Sequence, residues 1–270
     1  MIVQARQART ANRFAPNQTR RSAAQASIFG KYGPSIALWF DAYRLQATSG
    51  QTIARFGDSS GKRYLAVQSV VSRQPVCATS LNVKAMLFDG GDVLSTTTAV
   101  AMRSTPSADA LLVSQYLSVS VISFIASNLP SNVSFPDGAI YYGRIGQFNS
   151  IGAFSGNLGT SREDFNTTGI PDFFQFYYRF DQTAVMAPDK VQGYLDDVEV
   201  APFSATYTPN TSTFYDARWD IGSLLTTIGT PANGNIGYLS EIILMNRNLS
   251  ADERQELYRT TQELLGLGWS

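Results

Sequence analysis

The sequence predicts an all-β protein: an antiparallel β-sandwich with a short closing helix at the C-terminus and an extended arm at the N-terminus. Three observations carry that reading. Short apolar stretches broken by Gly, Asn, Asp and Ser recur along most of the 270 residues. Residues 173–180 alternate, with Phe174, Phe176, Tyr178 and Phe180 on one face and Phe173, Gln175, Tyr177 and Arg179 on the other. The last apolar run, 235–246, leads straight into residues 251–265, which carry a helical period and helical stop signals.

The first 34 residues hold Arg6, Arg9, Arg13, Arg20, Arg21 and Lys31 and no acid. The remaining residues hold 15 basic and 21 acidic side chains, so a neutral chain divides into a basic arm and an acidic body. With few large apolar side chains, the arm cannot by itself offset its ordering entropy. Two units follow, an extended arm over 1–34 and a sandwich over 35–270. Within the sandwich, strands are expected at 36–42, 67–71, 84–88, 93–102, 111–116, 118–126, 139–145, 173–180, 191–195, 198–200, 216–221 and 235–246. Turns fall at Gly57–Gly61, Asp89–Asp92 and Asp196–Asp197, where Gly and Asp supply turn chemistry. The closing helix, about 251–265, has a capping box in Ser250 and Glu253 and acids in its first turn. Leu257, Tyr258, Thr261, Leu264 and Leu265 form one face, and Gly266 and Gly268 stop it.

Composition excludes several chemistries. The chain has no His, which removes Ser-His-Asp triads and His-based metal sites together. Cys77 is the single cysteine, so no internal disulfide forms, as in proteins assembled in a reducing cytoplasm. The arm has no continuous apolar segment of the secretory kind, and no run of the sequence reads as a membrane span. Phosphate-loop and dinucleotide fingerprints are missing. Six charges over 34 residues is sparse for nucleic-acid binding.

Three blocks carry a resemblance. Leu38-Trp39-Phe40-Asp41-Ala42 is followed by Phe56-Gly57-Asp58-Ser59-Ser60-Gly61, with Phe88-Asp89-Gly90-Gly91-Asp92 later. The next block is Gln192-Gly193-Tyr194-Leu195-Asp196-Asp197, in which Asp197 stands where a Gly is usual. The third runs from Gly234 to Arg254. In this order they resemble the concanavalin A-like lectin/glucanase superfamily, in its laminin G- or pentraxin-like jelly-roll branch, of the kind also found in phage and viral structural proteins. The resemblance implies a binding-type sandwich and leaves function open. The glucanases of that superfamily carry a strand of alternating acids. This chain has only Glu163-Asp164, Asp196-Asp197 with Glu199, and an isolated Glu241, so no enzyme activity is expected.

Two kinds of ligand-binding residue are candidates. Aromatic rings able to stack on a sugar face include Tyr142, Tyr177, Tyr215 and Trp219, although alternating strands bury most such rings in cores. Asp58, Asp89 and Asp92 lie in Gly-containing turns with oxygen chemistry suited to calcium, which is also ordinary turn chemistry. No other cofactor is expected. The basic arm is expected to lie on an acidic neighbour through Arg6, Arg9, Arg13, Arg20, Arg21 and Lys31. The leading expectation is therefore a non-enzymatic virion protein, assembled in a host cytoplasm, that decorates a phage capsid through its arm as a homo-oligomer. The alternative is a carbohydrate- or receptor-binding module of a tail or cell surface.

Overall fold

The computed structural model describes residues 18–102, 105–117, 122–127, 140–145, 150–155, 161–166, 173–181, 183–184, 191–200, 202–207, 216–225, 231–232 and 234–265. Helix α1 (Gln18–Tyr32) leads through a short 3-10 turn, Gly33–Ser35, into β1 (Ile36–Asp41). There follow β2 (Arg55–Gly57), β3 (Leu65–Val67), β4 (Val76–Ser80), β5 (Val83–Asp89), β6 (Leu94–Thr96), β7 (Ser107–Tyr116) and β8 (Ile122–Ser127). Next come β9 (Ile140–Ile145), β10 (Ser150–Ser155), β11 (Ser161–Asn166), β12 (Phe174–Asp181), β13 (Val191–Leu195), β14 (Val198–Val200) and β15 (Pro202–Tyr207). The chain finishes with β16 (Asp220–Ile221), β17 (Leu224–Leu225), β18 (Pro231–Ala232), β19 (Ile236–Met245) and α2 (Ala251–Leu265).

These strands form two large antiparallel sheets. The first runs β14-β13-β12-β7-β19-β5-β4, and β1 also pairs with β19. The second runs β15-β11-β10-β9-β8-β16-β6-β3-β2, and β17 pairs with β18 apart from both. Strand β19 organises the first sheet. One edge pairs with β7; along the other, Ile236–Leu239 meets β5 and Glu241–Met245 meets β1. The expected sandwich is therefore present, with its closing helix at the expected residues.

Burial follows the alternation in the sequence. Phe174, Phe176, Tyr178 and Phe180 point between the sheets, among Leu38, Phe88, Leu112, Ile242 and Trp219. Phe40 of β1 stacks on Phe56 of β2 with ring centroids 4.8 Å apart, so one aromatic pair joins the two sheets. The opposite face of β12 is also buried. Tyr177 packs with Trp39, Leu111 and Ile243 beneath Ala24 and Ile28 of α1 and Leu257 and Leu264 of α2. Phe173 packs with Val113 and Leu265. Both helices lie over the outer face of the first sheet, which explains why β19 reads as a nearly continuous apolar run.

The structure corrects the reading of the N-terminal segment as extended to residue 34. Residues 18–32 form a helix, because Ala24, Ile28 and Tyr32 recur every fourth residue and all three are buried against the first sheet. Residues 1–17, with Arg6, Arg9 and Arg13, lie outside the described residues. Strands β2, β4, β10, β11, β15, β17 and β18 were not expected; β10, β11 and β15 are short and lack a sustained apolar alternation, and ladders join them to one another and to β9. The strand expected at 67–71 ends at Val67, and Val70 and Val71 are exposed around a 3-10 turn. Within 93–102 the strand covers Leu94–Thr96.

Candidate functional site

Two of the three described arm cations, Arg21 and Lys31, bond to the protein's own body. Arg21 Nη2 donates to Asp41 Oδ1 at 2.5 Å, and Nη1 donates to the Leu264 carbonyl near the end of α2, also at 2.5 Å. The guanidinium lies 3.7 Å from the centroid of the Tyr43 ring, and Gln25 Nε2 donates to Asp41 Oδ2 at 2.6 Å. Lys31 pairs with Glu256 on α2. Arg20 is exposed. Arg21 thus clamps α1 in place, in correction of its expected role as a contact to a neighbour, while Lys31 joins α1 to α2 at the surface.

Beside Arg21 lies a pair of carboxylates. Asp41 and Glu241 are register partners across β1 and β19, and each is 1% exposed. Trp39 Nε1 donates to Glu241 Oε1 at 2.7 Å. Burial, then the neighbouring Asp41 charge, pushes the Glu241 carboxyl well above its ordinary value. This pair lies under α1, whereas glycoside hydrolysis needs carboxylates flanking an open groove.

Two of the stacking candidates belong to the interior. Trp219 is 0% exposed between the sheets, and Tyr177 is 4% exposed with its hydroxyl donating to Asp109. The inter-sheet core encloses Trp219 and the two helices cover Tyr177, which corrects the expectation that they face a ligand. Tyr142 sits on β9 with its side chain outside the description, and Tyr215 lies outside the described residues. The three calcium candidates close turns. Asp58 accepts from Trp39 N at 2.8 Å, Ser60 N at 2.9 Å and Ser60 Oγ at 2.5 Å, which covers the free edge of β1. Asp89 Oδ1 accepts from Gly91 N at 2.8 Å, and Asp92 Oδ2 from Asp89 N at 3.1 Å. Burial raises Asp92 to about 6. Among the described residues no group of three or more acids or cysteines is placed to hold a metal ion.

A cleft lies elsewhere, between the β13–β14 turn and α2. It has a volume of about 340 Å³ and is lined by Asp196, Asp197, Val198, Tyr258 and Arg259. Asp196 and Asp197 have φ of 45° and 67°, the left-handed conformation that a two-residue hairpin turn requires and that Gly adopts most readily. Both aspartates are fixed. Asp196 Oδ1 accepts from Gln175 N at 3.0 Å, and its own N–H donates to Gln175 O at 2.9 Å. Asp197 pairs with Arg254 of α2, whose guanidinium also lies 3.8 Å from the centroid of the Tyr194 ring. The carboxylate of Asp197 explains why Asp occupies a Gly-like position: it clips the turn to the helix. Val198 is 68% exposed on the rim.

Tyr258, Arg259 and Arg254 were not singled out as site residues in the sequence. Arg254 and Tyr258 follow one another at i, i+4 on α2 and so share its hairpin-facing side, but only the fold shows which loop that side meets. No helix among the described residues is long and apolar enough to cross a membrane.

No protein-family model matches the sequence, and no curated protein matches it. Several solved structures share the fold. The binding domain of botulinum neurotoxin DC, solved with rat synaptotagmin II, superposes with a TM-score of 0.58 at 11% identity, over 85% of this chain and 52% of that one. Domain 4 of AbnA, a GH43 extracellular arabinanase from Geobacillus stearothermophilus solved with arabinotriose, gives 0.55 at 12%, over 83% of this chain and 98% of the domain. Trypanosoma rangeli sialidase with sialic acid gives 0.54 at 9%, over 87% of this chain and 34% of the enzyme. The chain thus spans about half of the neurotoxin domain and a third of the sialidase. At these identities the likeness establishes the β-sandwich fold alone.

Proposed function

We propose that this protein is a non-catalytic binding module for a glycan or a glycosylated receptor, engaged at the cleft between the β13–β14 turn and α2. The cleft carries the reading. It offers carboxylate acceptors on Asp196 and Asp197 and a guanidinium donor on the exposed Arg259, above a wall that includes the buried Tyr258, within about 340 Å³. Sugar hydroxyls both donate and accept, and a mixed rim of this kind serves both functions. A turn held at positive φ by two aspartates is a local cost of a sort that clusters at functional sites. The shared fold with domains solved on arabinotriose, sialic acid and a protein receptor supports the same reading.

A virion role anchored by the arm draws less support. Arg21 and Lys31 are engaged within the body, so an anchor would have to come from residues before Gln18 and the exposed Arg20.

The test is a glycan array that includes arabino- and sialo-oligosaccharides, followed by calorimetry of each hit against Arg259→Ala and Asp196→Asn. Loss of a charged hydrogen bond costs about 1.5–3 kcal/mol, so affinity should fall tenfold or more. Hits that bind both variants like the wild type would place the site elsewhere, and an array without hits would overturn the glycan reading.

A further inference from the structure

We propose that Asp109 is a positioning residue for this cleft, holding both of its walls through one carboxylate oxygen and shifting them when it gains or loses a proton. The proposal rests on the cleft being the binding site argued above. Asp109 lies on β7 and is 1% exposed. Its Oδ2 accepts two hydrogen bonds, one from the Tyr177 hydroxyl and one from Leu249 N at 2.6 Å. Its Oδ1 has no partner among the described residues.

Each bond leads to one wall. Leu249 immediately precedes Ser250, the cap of α2, so the second bond sets where α2 begins. Tyr258 and Arg259 of the cleft ride on that helix. The Tyr177 ring packs edge-on against Tyr194 at 6.0 Å, Arg254 lies over Tyr194 at 3.8 Å, and Arg254 pairs with Asp197 in the turn. A single buried oxygen therefore fixes the helix and, through two rings and a guanidinium, the turn opposite it.

The charges around Asp109 make its protonation responsive near neutrality. Burial raises it to about 7, while the Tyr177 hydroxyl and Leu249 N–H favour the ionised form. The cations facing it are Arg179 on β12, its register partner, and Arg247 in the connection to α2. Arg247 is itself engaged by Glu253, at 2.7 and 2.9 Å. When ionised, Asp109 accepts from both donors at once. When protonated, it is a weaker acceptor and carries an O–H that itself needs a partner, so the two donors compete and the walls shift.

The experiment follows the Leu249 amide and Arg254 Nε–H signals by NMR of the full chain from pH 5 to 9, with no ligand present. In the wild type both signals should move together with one midpoint near pH 7. Asp109→Asn keeps an acceptor oxygen but cannot titrate, and should leave both signals flat. Tyr177→Phe removes the hydroxyl bond and leaves the route through α2, so Leu249 should titrate as in the wild type while the Arg254 response should shrink. Wild-type signals that do not move together, or a transition that survives in Asp109→Asn, would overturn the proposal. Neither depends on finding the ligand, so failure here is distinguishable from failure of the glycan reading. Where the array yields a ligand, its affinity should change across the same midpoint in the wild type and stay level in Asp109→Asn.

Discussion

Arg21 on α1 and Asp41 at the end of β1 form a buried ion pair, with side chains 4% and 1% exposed and Nη2–Oδ1 at 2.5 Å. The same guanidinium reaches the Leu264 carbonyl, so one side chain joins the first helix, the sheet and the last helix. Removing one partner leaves the other charge buried, which costs about 3–5 kcal/mol. Arg21→Ala should therefore lower the urea midpoint sharply. Replacing both charges, as in Arg21→Met with Asp41→Asn, should recover most of the loss, because Asn still accepts from Tyr43 N. A double variant no more stable than the single one would show that the pair is not the source of the loss.

Stability should rise as pH falls from 7 toward 5. Asp109 is raised from 3.8 to about 7, so its contribution is full below about pH 4 and is lost as pH rises through 7. Asp92, raised to about 6, and Glu241, raised by burial, act in the same direction. Glu253 opposes them at the acid end. Its hydrogen bonds to Arg247 and to Ser250 N hold it down to about 2, and its contribution disappears as pH falls through 4 toward 2. One group changes stability by at most about 1.4 kcal/mol per pH unit. Urea titrations at pH 5, 6, 7 and 8 should show the slope, and Asp109→Asn should flatten it.

At Gly222 the chain leaves room for no side chain. Its φ is +90°, and a Cβ there would lie 2.1 Å from Phe88 Cδ1 on the opposite sheet. Gly222→Ala combines backbone strain with overpacking and should cost about 2–4 kcal/mol. Thermal unfolding would register this as a clear fall in Tm; an unchanged Tm would mean that Phe88 has an alternative rotamer.

Asp197 sets stability against function. Gly at this position relieves a positive-φ residue but gives up a partly exposed ion pair worth at most about 1 kcal/mol. Asp197→Gly should therefore stay within about 1 kcal/mol of the wild type in chemical denaturation while losing ligand affinity at the cleft. A loss of several kcal/mol would make Asp197 a structural residue first.

What could be read directly were local patterns. The 173–180 alternation placed four rings between the sheets, and the capping box at Ser250 and Glu253 forms as expected, with Ser250 N donating at 2.8 Å and Glu253 N at 3.2 Å. The two faces of β12, the β13–β14 hairpin and the last strand-helix pair follow from periodicity and turn chemistry, which act between neighbours in sequence. Helix α1 was hidden because its inward side carries Arg21 and the half-buried Gln25, polar residues that turn to the sheet only because Asp41 is there to meet them. The cleft was hidden for a related reason: Asp197 and Arg254 are 57 residues apart, and only the packing of α2 on the first sheet brings the turn to the helix. Local sequence determined the elements with a clear apolar period or cap, β12, the β13–β14 hairpin, β19 and α2, and their buried faces. Tertiary packing decided which charges are neutralised within the body, which aromatic rings remain available, and where an open polar surface is left.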